Sequence, residues 1–120
     1  MLAAVLSVSS VMTSLAAKTA KAEVHENYVW TRVEENWTCQ DEDGEPVKGW
    51  ALHGNDLYFL DKNGVMRTGW IKSEGKWYYF YEPEYIKAHT LKDVKAGTLA
   101  VSTSIDNYEV DAEGAMTKIR

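Results

Sequence analysis

The chain has a single cysteine, two prolines, two phenylalanines and three histidines among its 120 residues. Cys39 alone cannot close a disulfide within the chain or supply a thiolate zinc site. His25, His53 and His89 stand in unrelated contexts without ligand-like spacing, so no metal site is expected. Positive charge is also scarce: thirteen Lys and Arg against eighteen Asp and Glu leave a net charge of −5. That balance gives a phosphate backbone little to bind and argues against nucleic acid as a partner. The sequence holds no Ser-His-Asp set, Gly-rich phosphate loop or nucleophile elbow. Two carboxylates placed for glycoside hydrolysis would occur by chance among eighteen acids, so they argue nothing. No catalysis and no cofactor are expected. The acidic run Asp41-Glu42-Asp43 ahead of Gly44 lacks a calcium-loop pattern and reads as a solvated turn.

Only one modest domain fits this length. Leu2 to Ala17 is apolar or small throughout, and Ala20-Lys21-Ala22 follows as an A-x-A-type cleavage site. Residues 1–22 therefore read as a secretory signal peptide, leaving a mature domain over 23–120. Cleavage would remove Lys18 and Lys21 and no acid, for a net charge of −7. The run is shorter than the ~20 apolar residues that span a bilayer, so no stable membrane anchor is expected after signal removal. No Lys or Arg precedes the run, unlike an ordinary signal, and retained membrane attachment is the alternative.

The remainder repeats. Trp30, Trp50 and Trp70 are 20 residues apart, and Trp37, Leu57 and Trp77 follow each by seven. Gly44 and Gly64 stand seven further on. Short aromatic runs such as Leu57-Tyr58-Phe59-Leu60 and Trp77-Tyr78-Tyr79-Phe80 are bounded by Gly-Asn, Glu-Gly and Asn-Gly, which accept the positive φ of tight turns. Each unit is therefore expected to be one β-hairpin plus a linking turn. A lone hairpin is marginal in water, so successive hairpins are expected to stack and bury their aromatic faces. The fold expected is mostly β, a short solenoid of stacked β-hairpins with irregular ends.

Asn107-Tyr108 through Gly114-Ala115-Met116 matches Leu57-Tyr58 through Gly64-Val65-Met66 in its Tyr, Gly and Met, but it is displaced. With Leu99-Ala100 read in the place of Gly-Trp, ten residues are inserted within 81–97. Pro83 opens a segment, Glu84 to Ala96, that suits a short helix or an irregular loop equally. A strand is expected over Thr98 to Ser104, and the last hairpin is expected to cap the stack.

Thr68-Gly69-Trp70, Lys76-Trp77-Tyr78-Tyr79-Phe80 and Asn63-Gly64-Val65-Met66-Arg67 resemble the choline-binding, or cell-wall-binding, repeats of Gram-positive surface proteins, which are related to glucan-binding repeats. The resemblance is strong from Lys48 to Phe80 and weaker from Tyr28 to Val47 and from Thr98 to Met116. It implies a left-handed superhelix with choline sites between consecutive hairpins. Two aromatics of one hairpin and one of the next would form each cage. Carried over, Trp30, Trp37 and Tyr58 make one candidate site, and Trp70, Trp77 and Tyr108 another. Trp50 and Tyr78 make a third that lacks a wall, because Leu57 stands where Trp is expected.

A quaternary ammonium cannot donate hydrogen bonds, so aromatic faces hold it, at about 0.5–2 kcal/mol per ring. The implied function is a secreted, noncatalytic cell-surface module whose partner is choline-bearing teichoic acid or a wall polysaccharide. A glucan-binding module is the alternative, as is a structural protein-interaction repeat whose aromatics only fill the core.

Overall fold

The computed structural model describes residues 28–119, so the apolar leader expected over residues 1–22 lies outside the described residues. The first hairpin is β1 (Val29–Val33) with β2 (Asn36–Gln40). The second is β3 (Gly49–His53) with β4 (Asp56–Leu60), whose free edge takes the short β5 (Met66–Arg67). The third is β6 (Gly69–Ser73) with β7 (Lys76–Phe80). A helix, α1 (Pro83–Ala88), follows, and the chain ends in a meander of β8 (Thr103–Ile105), β9 (Tyr108–Val110) and β10 (Met116–Ile119). All strand pairs are antiparallel and join neighbours in sequence. In the third hairpin both turn residues, Glu74 (φ 51) and Gly75 (φ 83), take the positive φ whose twist suits a two-residue connection.

Strand alternation gives each hairpin two working faces. Cross-strand partners share a face and successive residues alternate. In the third hairpin Trp70 pairs with Tyr79 and Lys72 with Trp77 on one side, while Ile71 with Tyr78 and Gly69 with Phe80 occupy the other. The second face packs back on the second hairpin, where Tyr78 and Phe80 join Leu52, Leu57 and Leu99 in a buried cluster edged by Trp50, Phe59 and Ile71. The first face packs forward, where Tyr79 meets Ile105 and Val110 with Trp70 and Met116 alongside. A third cluster, Cys39, Val47, Ala51 and Leu60, joins the first two hairpins. The core is thus segmented, one cluster per junction, and the second and third hairpins supply apolar surface to both neighbours. Aromatic runs such as Trp77-Tyr78-Tyr79-Phe80 are aromatic on both faces for this reason.

The linking turns share one device. Asp61 Oδ1 accepts from the backbone N–H of Asn63 (2.8 Å) and Val65 (3.0 Å). Asp41 does the same for Asp43 and Glu45, and Asp111 for Glu113 and Ala115, each at 2.9 Å. A glycine three residues after each aspartate returns its N–H to the aspartate carbonyl, at 2.9 to 3.0 Å. Asp41 is therefore a turn-former, and the acidic run around it serves backbone geometry.

The insertion begins in the corresponding turn. Gly97 N–H donates to Tyr81 O (2.7 Å) and Tyr81 N–H to Thr98 O (2.9 Å), as Gly64 donates to Asp61 and Asp61 to Val65. Residues 82–96 thus fill a turn that elsewhere holds two residues, and they form α1 with Pro83 in its first turn. Pairing corrects the register expected from the sequence. Leu99 bridges Phe80 as Met66 pairs with Leu60. Thr103 pairs with Val110 as Gly69 pairs with Phe80, and Ser104 with Glu109 as Trp70 with Tyr79. Thr103-Ser104, not Leu99-Ala100, hold the place of Gly-Trp. Trp70 to Ser104 is 34 residues, against 20 from Trp50 to Trp70, so fourteen residues are inserted and not ten. The strand expected over Thr98 to Ser104 shrinks to Thr103–Ile105, because Leu99 and Ala100 are drawn into the junction clusters. The forward face of this last hairpin presents Ser104 and Glu109 where the others present aromatic or apolar residues, a polar end suited to a cap.

Candidate binding clefts

The two faces meet differently at successive junctions. At the first, Trp30 and Trp37 on the forward face of the first hairpin meet Tyr58 on the backward face of the second. The three line a cleft of about 390 Å³ with Met66, His53, Lys95 and Ala96. The Trp30 ring lies 5.2 Å from Tyr58 and 5.8 Å from His53, the latter edge-on. At the third junction Trp70, Trp77, Tyr108 and Met116 line a second cleft of about 310 Å³, with Trp70 and Tyr108 5.3 Å apart. Trp37 and Trp77 form the outer walls and remain 39% and 41% exposed, which is unusual for indoles with a core within reach. Burial, and secondarily Asp56, pushes the Tyr58 phenol up, so the ring stands as a neutral wall.

The middle junction is filled. Leu57 is 1% exposed and Tyr78 4%. Trp50 packs against Tyr78 at 4.8 Å and Phe80 at 5.4 Å, and its Nε1 donates to Ser73 Oγ at 3.2 Å. Of Trp50 and Tyr78, carried over from the family pattern as site residues, Tyr78 is buried in the core here and Trp50 packs, partly buried, against it. In contrast, Trp30 Nε1 is buried without an acceptor among the described residues.

Six of the eight sequence-derived site residues therefore fall into two clefts, in the two groups expected: Trp30, Trp37 and Tyr58, and Trp70, Trp77 and Tyr108. Sequence reasoning missed Met66 and Met116. Both follow a turn glycine by two residues, and Met116 pairs with Val110 as Met66 pairs with Leu60, so the signal was present as a repeated position. His53 and Lys95 carry no repeat signal. No group of His, Cys, Asp and Glu among the described residues is arranged to hold a metal.

The geometry is that of a repeat protein whose open aromatic surfaces lie between units. A family model described as the choline-binding repeat matches residues 47–83. The choline binding domain of Spr1274 from Streptococcus pneumoniae is 31% identical at a TM-score of 0.60, over 79% of this chain and 100% of that one. Choline binding protein F from the same organism is 32% identical at a TM-score of 0.58, over 74% of this chain, which spans about a quarter (26%) of that protein. Truncated alternansucrase from Leuconostoc mesenteroides, at 22% identity and a TM-score of 0.53 over 76% of this chain and 7% of that one, shares the fold alone. No curated protein sequence matches. The chain belongs to the choline-binding repeat family.

Proposed function

We propose that this chain is a noncatalytic wall-attachment module that binds choline, carried on teichoic acid or a comparable wall polymer, in the clefts between its hairpins. The observation that carries this reading is the recurrence of one wall set, two Trp, one Tyr and one Met, at the first and third junctions. Three neutral aromatic faces and a polarizable thioether suit a cation that has no hydrogen to donate. The net charge of −5 has the sign that attracts it. Each cage alone is weak, and repetition along a polymer raises the apparent affinity by effective concentration. The matches to choline binding proteins support the ligand class. The apolar leader over residues 1–22 supports export to the cell surface, and no helix among the described residues is long and apolar enough to cross a membrane.

Retention on a resin bearing a choline analogue, with release by free choline, is the expected result. Retention on dextran with no effect of choline would replace this reading with glucan binding. Indifference to both matrices would leave the aromatics as structural or protein-interaction surface.

A further inference from the structure

The walls of the two clefts match, but the hairpins that close them differ in length. The last hairpin turns directly after Ile105 pairs with Tyr108, the place that Ala51 and Tyr58 hold in the second. The second hairpin runs on for two more pairs, Leu52 with Leu57 and His53 with Asp56. His53 stands two residues beyond Ala51 and so shares the face that carries Tyr58 into the first cleft. An imidazole thereby lines the first cleft and has no counterpart in the second, which Trp70, Trp77, Tyr108 and Met116 line. The imidazole is exposed and makes no hydrogen bond or ion pair among the described residues. Its ring contact is with Trp30, edge-on at 5.8 Å.

A neutral imidazole is one more uncharged ring beside a cation. An imidazolium sets a positive charge against Trp30, one of the rings that must face the ligand, and like charge then opposes a quaternary head in the same cleft. The charged groups around His53 come from every element that packs there. Asp56 is opposite on β4, and Arg32 of β1 lies 5.9 Å from the Trp37 ring. Glu34 and Glu35 form the β1–β2 turn, and Lys95 of the insertion belongs to the cleft lining. On β5, Arg67 pairs with Phe59 on the other face and lies 3.8 Å from Asp61. Histidine is the side-chain type whose charge changes between pH 5 and 8, and carboxylates, lysine and arginine are not. We propose that His53 gates the first cleft by protonation: neutral, it is a fourth ring beside Trp30, Trp37 and Tyr58, and protonated, it weakens the hold on a quaternary ammonium. The second cleft has no such gate. This inference rests on the choline reading above and adds to it a regulation of one of the two sites.

The test is a choline titration of the full chain at about pH 8 and about pH 5.5, on either side of the histidine range, followed by indole N–H resonances. Trp30 and Trp37 report the first cleft, Trp70 and Trp77 the second. Choline is quaternary and does not titrate, so a pH effect belongs to the protein. In the first cleft binding is expected to weaken about three- to tenfold at the lower pH, the scale of two unit charges within roughly 10 Å in a half-solvated cleft. The second cleft is expected to hold its affinity. His53→Gln should keep the first cleft near its high-pH affinity throughout, and His53→Lys should weaken it at both pH values; the second cleft, unchanged, shows that each variant is folded. His89→Gln, which removes the ring stacked on Tyr85, should retain the wild-type pH dependence. By reciprocity, saturating choline should move the His53 imidazole titration to lower pH by the same factor. A first cleft indifferent to pH, an equal effect in both clefts, or an effect that survives His53→Gln would overturn the gate and leave choline binding standing. Indoles that ignore choline at both pH values would overturn both readings.

Discussion

Leu57 pairs with Leu52 across the second hairpin in the place that Trp37 and Arg32 hold in the first and Trp77 and Lys72 in the third. Both leucines are buried, whereas the two tryptophans are open to solvent, with the Arg32 guanidinium 5.9 Å from the Trp37 ring. One cross-strand pair therefore decides whether a junction is a cleft or a seam.

The first prediction separates stability from binding. Leu57→Ala is expected to destabilise the chain by about 2–5 kcal/mol, the usual cost of a cavity at a fully buried leucine. Trp77→Ala, at a half-exposed ring, is expected to cost under about 1 kcal/mol and yet to abolish the second cleft. Urea denaturation beside ligand titration checks both. Equal stability losses would contradict the division into seam and cleft.

Stoichiometry supplies a second prediction. Calorimetric titration of the wild type with choline should give two sites, falling to one in Trp37→Ala and in Trp77→Ala. Tyr81→Ala should retain two, since Tyr81 packs on Tyr79 and Tyr85 and lines neither cleft. Choline at a hundred times its dissociation constant should add about 2.7 kcal/mol of stability per occupied site.

Asp61→Ala removes an acceptor from two backbone N–H groups and is expected to cost about 1–2 kcal/mol, with similar values at Asp41 and Asp111. Chemical denaturation of the three variants would show it. A neutral result at all three would mean that the turns are held by their glycines alone.

Gly64 and Gly75 have nearly the same φ, 79 and 83, but only Gly64 is crowded: a Cβ there would lie 2.9 Å from the Cys39 carbonyl oxygen. Gly75→Ala is expected to cost about 1–2 kcal/mol from backbone strain. Gly64→Ala should exceed it by about 1 kcal/mol or more, because the clash is with backbone that cannot swing away. Paired melting curves decide the order.

Burial, aided by Asp41, pushes the Cys39 thiol up from 9.0 to about 11. The unfolded chain therefore releases this proton first, so its contribution to stability is complete below about pH 9 and is lost as pH rises toward 11. Burial also raises Tyr58, Tyr79 and Tyr81, which act in the same direction at higher pH. Stability should decline from pH 9 to 11, and Cys39→Ala should flatten part of that decline. Iodoacetamide should leave the folded thiol unmodified at pH 8.

What could be read beforehand was what the repeat encodes. Tryptophans at a spacing of 20 residues mark equivalent places on equivalent hairpins, and strand alternation then fixes which face each occupies. Leu57 reads as a missing wall, but its burial depends on Leu52 opposite and Tyr78 beyond, neither of which periodicity connects. The aspartates at 41, 61 and 111 were visible as acids; their role depends on backbone N–H groups that only the folded turn aims at one carboxylate. The register of the last unit is not legible in the sequence, because Leu99-Ala100-Val101 has strand-like composition while pairing with β9 begins only at Thr103. Lys95 and His53 reach the first cleft through tertiary approach, which no spacing records.

The turn that ends at Gly97 and Thr98 keeps the same closing bonds as its two-residue counterpart while holding residues 82–96. Its anchor points sit still whatever the length between them, so this corner is a port through which the stack can acquire chemistry without being rebuilt. Any segment grafted there would be delivered to the rim beside Met66, and a family of such grafts would vary what one cleft recognises while its neighbour stays as a constant reference.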